Sequence, residues 1–311
     1  MEKETGENGG KFSVSAVFEK FIESRMVNGV ENVTIRSYRS SMLSLAKYSC
    51  VDFDVTRIDE LSRDDIDRMI LNMRRASLRP TSIQTYTRNL KVFLNWASTE
   101  GYLVPRCRIY RAKVVLKEPY TDDEITRLLA APAFDCPFWE LRDWTISNFL
   151  MNSGCRCKTL ISILIRDVDL KNRLVTFRHA KNGFPQIMPL CDEMVPILHW
   201  YLSARCGVLD DVLFCNDHYN PMSQGALRRT MIKYNRSRGV YKTSIHLFRH
   251  TFAKNFILKC GGNPFTLQYL LGHHTLEMTK RYCNLYNADI VRNFNDNCPL
   301  HTIKAKEKRK K

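Results

Sequence analysis

After a polar, glycine-containing start, Val14, Val17, Phe18, Phe21 and Ile22 recur three and four residues apart, the spacing that predicts an amphipathic helix. Tyr38, Met42 and Leu45 predict a second helix. Ser62 followed by Asp65 reads as a capped start for a third, with Ile66, Met69, Ile70 and Met73 facing inward. Pro80-Thr81-Ser82 opens a fourth, which lines up Ile83, Tyr86, Leu90, Phe93 and Ala97 before Gly101 and Pro105 stop it. Four helices in about 90 residues can support a core of their own.

Beyond this unit the pattern changes twice. Thr121 with Glu124 forms a capping box that starts another helix, and a further helix is expected over 138–152, ending at Ser153-Gly154. Leu174-Val175-Thr176-Phe177 and Gln186-Ile187-Met188-Pro189-Leu190 then flank Asn182-Gly183, a dipeptide suited to a tight turn, so a β-hairpin is expected. Helical segments resume at Glu193 and are expected to run to about residue 295. The expected fold is mainly α with a small β-sheet. Its parts are a helical domain over 12–104, a basic linker over 105–118, an α+β domain over 119–296 and a basic C-terminal tail over 297–311.

Composition narrows the partner. The chain has 311 residues and a formal net charge of +16. Residues 1–104 hold 15 Lys and Arg against 14 Asp and Glu, whereas residues 105–311 hold 33 against 18. So uneven a basic excess favours a polyanion, most simply nucleic acid. In the linker, Arg106, Arg108, Arg111, Lys113 and Lys117 face a single Glu118, either as a solvated tether or as a strap along phosphates. Arg228, Arg229, Lys233, Arg236 and Arg238 crowd one expected helix and are candidate DNA contacts. No apolar run reaches the ~18 residues of a membrane span, and the polar start lacks a signal core, so a cytoplasmic protein is expected. Eleven cysteines without paired CxxC spacing disfavour a zinc site or a disulfide scaffold. Cys155 and Cys157 are expected to serve packing.

The densest chemistry lies in Ile245-His246-Leu247-Phe248-Arg249-His250-Thr251, where His246 and Arg249 share a helix face. Leu271-Gly272-His273 follows, with Tyr282 nine residues beyond that histidine. Upstream, Arg156 stands just after the helix-ending Gly154, and Lys181 lies in the hairpin. This ordered set of Arg, hairpin Lys, His-x-x-Arg, Gly-His and Tyr resembles the tyrosine recombinase (phage integrase) family over residues 119–290. The N-terminal helices are similar to that family's core-binding domain.

The resemblance implies a two-domain architecture, a helical core-binding domain plus an α+β catalytic domain. It also implies site-specific cleavage and rejoining of double-stranded DNA through a 3′-phosphotyrosyl intermediate. Matched position by position, Arg156 and Arg249 would be clamp arginines, His246 and His273 the two histidines, and Tyr282 the nucleophile. Lys181 is the best match to the hairpin lysine, with Arg178 the nearest other basic side chain on that strand. His250 and His274 would be supporting residues, and Tyr286 is a rival to Tyr282. The chain departs from many members at Thr159, where they carry an acidic residue, and in lacking a second hairpin Lys and the Arg common there.

The chemistry suits these residue types. Two forked guanidinium groups can stabilise the charge that gathers on the non-bridging oxygens of a phosphodiester in the transition state. A phenol whose pKa is about 10 must lose its proton as it attacks. A cationic lysine can protonate the departing 5′ oxygen. No metal or other cofactor is implied, because the phosphotyrosyl bond keeps the energy of the one it replaces. Specific recombination sites, a tetramer on DNA and accessory proteins are the implied partners, with no membrane. Within the family, an integrase of a phage or conjugative transposon is expected, and the basic tail leans that way. A Xer-type chromosome-dimer resolvase and a DNA-binding regulator without catalysis are the alternatives.

Overall fold

The computed structural model describes residues 12–112, 118–178 and 185–273, together with Thr275 and Thr279. The chain divides into two compact units, Met1–Leu116 and Lys117–Lys311.

The first unit is built from α1 (Val14–Val27), α2 (Asn32–Tyr48), α3 (Arg63–Arg75) and α4 (Pro80–Thr99). Local chemistry sets their starts. Ser13 accepts a hydrogen bond from the Ala16 backbone, Ser62 and Asp65 close a reciprocal capping box, and Pro80 sits in the first turn of α4, where no N–H is needed. The inward stripes meet in one aromatic core. Phe18 lies edge-on to Phe93 at 5.4 Å between centroids, and Phe21 packs on Tyr38 and Trp96 at 5.1 and 5.5 Å. Burying each such phenylalanine contributes about 1.5–3 kcal/mol. The segment after α4 stays with this unit. Cys107 is buried in its core, Tyr110 packs against it, and the Tyr110 backbone N–H donates to Thr87. Arg106, Arg108 and Arg111 are exposed on that docked segment, and Lys113 lies outside the described residues.

The second unit surrounds one central helix. Its elements are α5 (Asp122–Leu129), α6 (Phe138–Ser153), the short α7 (Cys157–Leu160), strands β1 (Val168–Asp169), β2 (Leu174–Phe177) and β3 (Gln186–Pro189), then α8 (Met194–Arg205), α9 (Gln224–Ser237), α10 (Ile245–Leu258) and α11 (Pro264–Leu271). Helix α6 packs against α5, α8, α9 and α10, so it is buried almost all round. Its buried hydroxyls are satisfied within the helix, Thr145, Ser147 and Ser153 each donating to the carbonyl four residues back. The strands form an antiparallel sheet in the order β1-β2-β3, with Phe177 opposite Gln186 and Leu174 opposite Pro189. Val175, Phe177 and Met188 turn into the core.

Two features differ from the sequence expectation. The sheet has a third strand, β1, whose two residues are too few to show a period. The expected helical run after residue 193 is interrupted between α8 and α9, where a non-helical segment buries Leu213, Phe214 and Cys215. It is held by bridges from Val212 to Leu164 and from Cys215 to Pro221. Three consecutive apolar residues buried on both faces read alike in a helix or an extended segment. The Asn182-Gly183 turn and the tail over 297–311 lie outside the described residues. Among the described residues, no helix is long and apolar enough to cross a membrane.

Candidate active site

Helix α6 ends where the site begins. Gly154 caps it in the left-handed conformation, with φ +57°. A Cβ here would lie 2.5 Å from Phe252 Cδ1 and 2.9 Å from Leu271, so the position excludes side chains sterically as well as conformationally. The close approach sets the helix end against α10 and α11. Two residues later Arg156 stands at the N-cap of α7 in an extended conformation, half-buried.

Arg249 enters from the second turn of α10 and is 6% exposed. Its Nη1 donates to the Gly154 carbonyl, and its Nη2 donates to the Leu271 carbonyl, each at 2.8 Å. Arg156 reaches the same place, its Nη1 and Nη2 donating to the carbonyls of Leu271 and Gly272 at 3.4 Å. The acceptors belong to the C-terminal ends of α6 and α11, where carbonyls outside the helical ladder and the helix dipole offer partial negative charge. Two neighbouring cations thus share carbonyl acceptors at one helix end. Gly272, the left-handed cap of α11 at φ +59°, turns the chain into His273. His273 is 7% exposed, with its Nε2 2.8 Å from Arg249 Nη2 and its Nδ1 2.8 Å from Thr279 Oγ1.

The expected site residues thus divide. Arg156, Arg249 and His273 come together from the α6–α7 turn, α10 and the end of α11. His246 lies exposed on the first turn of α10, one helical turn before Arg249. Lys181, Tyr282, His274 and Tyr286 lie outside the described residues. Arg178, the other basic side chain near the hairpin, is tied to Asp167, whose carboxylate is fully buried. Its charge serves the fold. Thr159 is buried in α7.

Two residues without a sequence signal also belong here. Gln186 on β3 donates through its amide to the Tyr269 and Leu270 carbonyls at 2.7 and 2.8 Å, tying the sheet to the last turn of α11. Thr279 is a polar partner of His273, at Nδ1. Behind them, Tyr120 anchors the start of α10. Its backbone N–H donates to Thr251, its hydroxyl donates to the Lys242 carbonyl, and Asn235 donates to that hydroxyl. Burial pushes the Tyr120 phenol well above its usual range, which keeps this anchor neutral.

The flanking cysteines pack. Burial pushes the Cys155 thiol up to about 11, although Arg249 acts in the opposite direction. Burial also raises Cys157, against the charge of Arg228. Among the described residues, no group of three or more His, Cys, Asp or Glu could hold a metal ion.

The basic helix α9 is two-sided. Leu227, Met231 and Tyr234 are buried, while Arg228, Arg229, Lys233 and Arg236 are exposed. Arg238 departs from the expectation of a DNA contact, because its guanidinium turns back to Glu140 and the Ala130 carbonyl. As the cap residue of α9 it is drawn onto the protein by a carboxylate 3.1 Å away.

Known proteins share this framework. The chain is 27% identical over 287 residues to the tyrosine recombinase XerA of Saccharolobus solfataricus, a match covering 88% of this chain and 90% of that protein. The fold is that of the Tn1549 transposon integrase solved with transposon right-end DNA, at a TM-score of 0.74 and 20% identity, covering 92% of this chain and 99% of the other. A lambda integrase dimer solved on a COC′ core site aligns at 0.70 and 16% identity, covering 88% and 77%. The phage integrase family model matches residues 120–288, more than half of the chain. That span takes in both arginines, the Gly-His turn and the sheet, so the chain belongs to the phage integrase family of tyrosine recombinases, enzymes that cleave and rejoin DNA strands.

Proposed function

We propose that this recombinase acts at specific DNA sites through a 3′-phosphotyrosyl intermediate on Tyr282, and that it integrates or excises a mobile element. The observation that carries the reading is the convergence of Arg156 and Arg249 on one carbonyl oxygen, with His273 against Arg249. A phosphodiester would exchange weak neutral acceptors for anionic oxygens, which guanidinium forks bind more strongly. The arginines then hold the non-bridging oxygens, and His273 donates to one of them. The Tyr282 oxygen attacks phosphorus while its proton passes toward His246. The bond to the 5′ oxygen breaks, and Lys181 supplies the proton that makes a 5′-hydroxyl. Attack by the 5′-hydroxyl of a partner strand reverses these steps, releasing the phenol. Arg156, Arg249 and Lys181 supply the positive charge, so cleavage is expected to persist in excess EDTA.

Exposed Arg106, Arg108 and Arg111 with Lys113, and Arg228, Arg229 and Lys233 on α9, are assigned to the DNA backbone. The working assembly is a tetramer on two duplexes. A second reading, Xer-type resolution of chromosome dimers, is favoured by the near full-length match to XerA. Incubation with nicked duplexes bearing the ends of the encoding element, beside duplexes bearing a chromosomal resolution site, separates the two. Covalent adducts on the element ends support integration, and adducts on the chromosomal site alone support the Xer role. Tyr282→Phe should bind DNA without forming adducts. Adducts in that variant would move the nucleophile, with Tyr286 next.

A further inference from the structure

We infer that Thr279 is a positioning residue for His273, fixing which ring nitrogen carries the proton and thereby what the ring can offer a phosphate. The inference rests on the proposal that His273 touches the scissile phosphate.

The His273 ring is held at both nitrogens inside the protein. Nε2 stands 2.8 Å from Arg249 Nη2, and Nδ1 stands 2.8 Å from Thr279 Oγ1. A guanidinium has donors and no acceptor, so Nε2 must present its lone pair to Arg249. A neutral imidazole carries one proton, which is then on Nδ1 and is donated to the Thr279 hydroxyl. Without DNA, His273 is an acceptor toward the site and holds Arg249 in place. To donate to a phosphate oxygen it must carry a proton on Nε2. It can gain a second proton and keep Nδ1–H on Thr279. Alternatively, it can exchange tautomers, so that the Thr279 hydroxyl turns and donates to Nδ1.

A hydroxyl serves both states, because it is donor and acceptor at once. Thr279 is completely buried, so water is poorly placed to replace it. A valine has the same shape and does neither. It would remove the hydroxyl that Nδ1–H donates to, favour the Nε2–H tautomer, and point that proton at the Arg249 N–H groups.

The test uses the full chain labelled with ¹⁵N-histidine, His273 being assigned by the disappearance of its signals in His273→Gln. In the DNA-free wild type, Nδ1 should be protonated and Nε2 bare, and Thr279→Ser should match it. Thr279→Val should move the proton to Nε2. On a nicked duplex bearing an end of the encoding element, Thr279→Val should slow single-turnover cleavage about 10–100-fold, the range expected when the partner behind a functional histidine is removed. Its affinity for the duplex should not change, and Thr279→Ser should restore the rate. A wild-type spectrum with Nε2 protonated overturns the inference even if Thr279→Val does not fold. A folded Thr279→Val that keeps the Nδ1 proton, or cleaves at the wild-type rate, also overturns it. If His273→Gln cleaves normally, the reading of His273 fails instead, and the spectra still decide the tautomer.

Discussion

The carbonyl oxygen of Leu271 receives hydrogen bonds from two arginines, Arg156 at 3.4 Å and Arg249 at 2.8 Å. Their roles in the fold are unequal. Arg249 is buried and holds Gly154, Leu271 and His273 together, whereas Arg156 is half-buried on longer bonds. Lysine cannot make the forked contacts of either. Arg156→Lys should lower single-turnover cleavage by about 2–4 kcal/mol, roughly 30- to 1,000-fold, with little change in thermal stability. Arg249→Lys should lose as much activity and also unfold at a lower temperature. Near-normal cleavage by either variant would remove it from the clamp.

Gly154 and Gly261 both have positive φ, at +57° and +64°, but only Gly154 has a neighbour where a Cβ would go. Gly261→Ala should cost about 1–2 kcal/mol of backbone strain. Gly154→Ala should cost about 1–3 kcal/mol more for displacing Phe252 and Leu271. In a unit of this size each extra kcal/mol lowers Tm by about 2–4 °C, so calorimetry on the two variants reads the difference directly. Equal melting temperatures would contradict the close packing.

Gln186 gives α11 two hydrogen bonds from the sheet. Gln186→Leu should cost about 1–3 kcal/mol in total. Amide exchange should accelerate in the α11 turn that presents Leu271, Gly272 and His273, with far less change in α6. Unaltered protection in that turn would show that the arginines alone hold it.

The exposed and paired cations around α9 should separate in a salt titration. Removing one cation that neutralises a phosphate flattens the slope of log K against log salt by ~0.9. Arg229→Ala with Lys233→Ala should therefore flatten it by about two such steps, and Arg106→Ala with Arg108→Ala should do the same if the docked segment follows phosphates. Arg238→Ala should leave the slope alone and lower Tm, since Glu140 and the Ala130 carbonyl are then without their partner. An unchanged slope in the first pair would make that face of α9 merely solvated.

Thiol chemistry checks the packing around Arg156. At pH 8 iodoacetamide should modify exposed Cys50, Cys206 and Cys260, while Cys155, buried and pushed up to about 11, reacts only on unfolding. Mass spectrometry of the native protein showing early modification of Cys155 would contradict this.

Local chemistry made much of the molecule legible from the sequence. The capping boxes at Ser62 and Thr121, the proline at the start of α4, and the inward stripe of Phe18 and Phe21 depend on neighbours within a few residues, and each appears at its expected place. The order of Arg156, His246, Arg249 and His273 was readable because the family fixes their spacing. Tertiary structure decided what no window of sequence contains. Gln186 meets Tyr269 across 83 residues, and Arg249 meets Gly154 across 95. Arg178 and Arg238 looked like any other cations until Asp167 and Glu140 folded against them. Helical periodicity reports which face of a segment is buried, but only the packed fold determines which distant carbonyl or carboxylate a long polar side chain reaches.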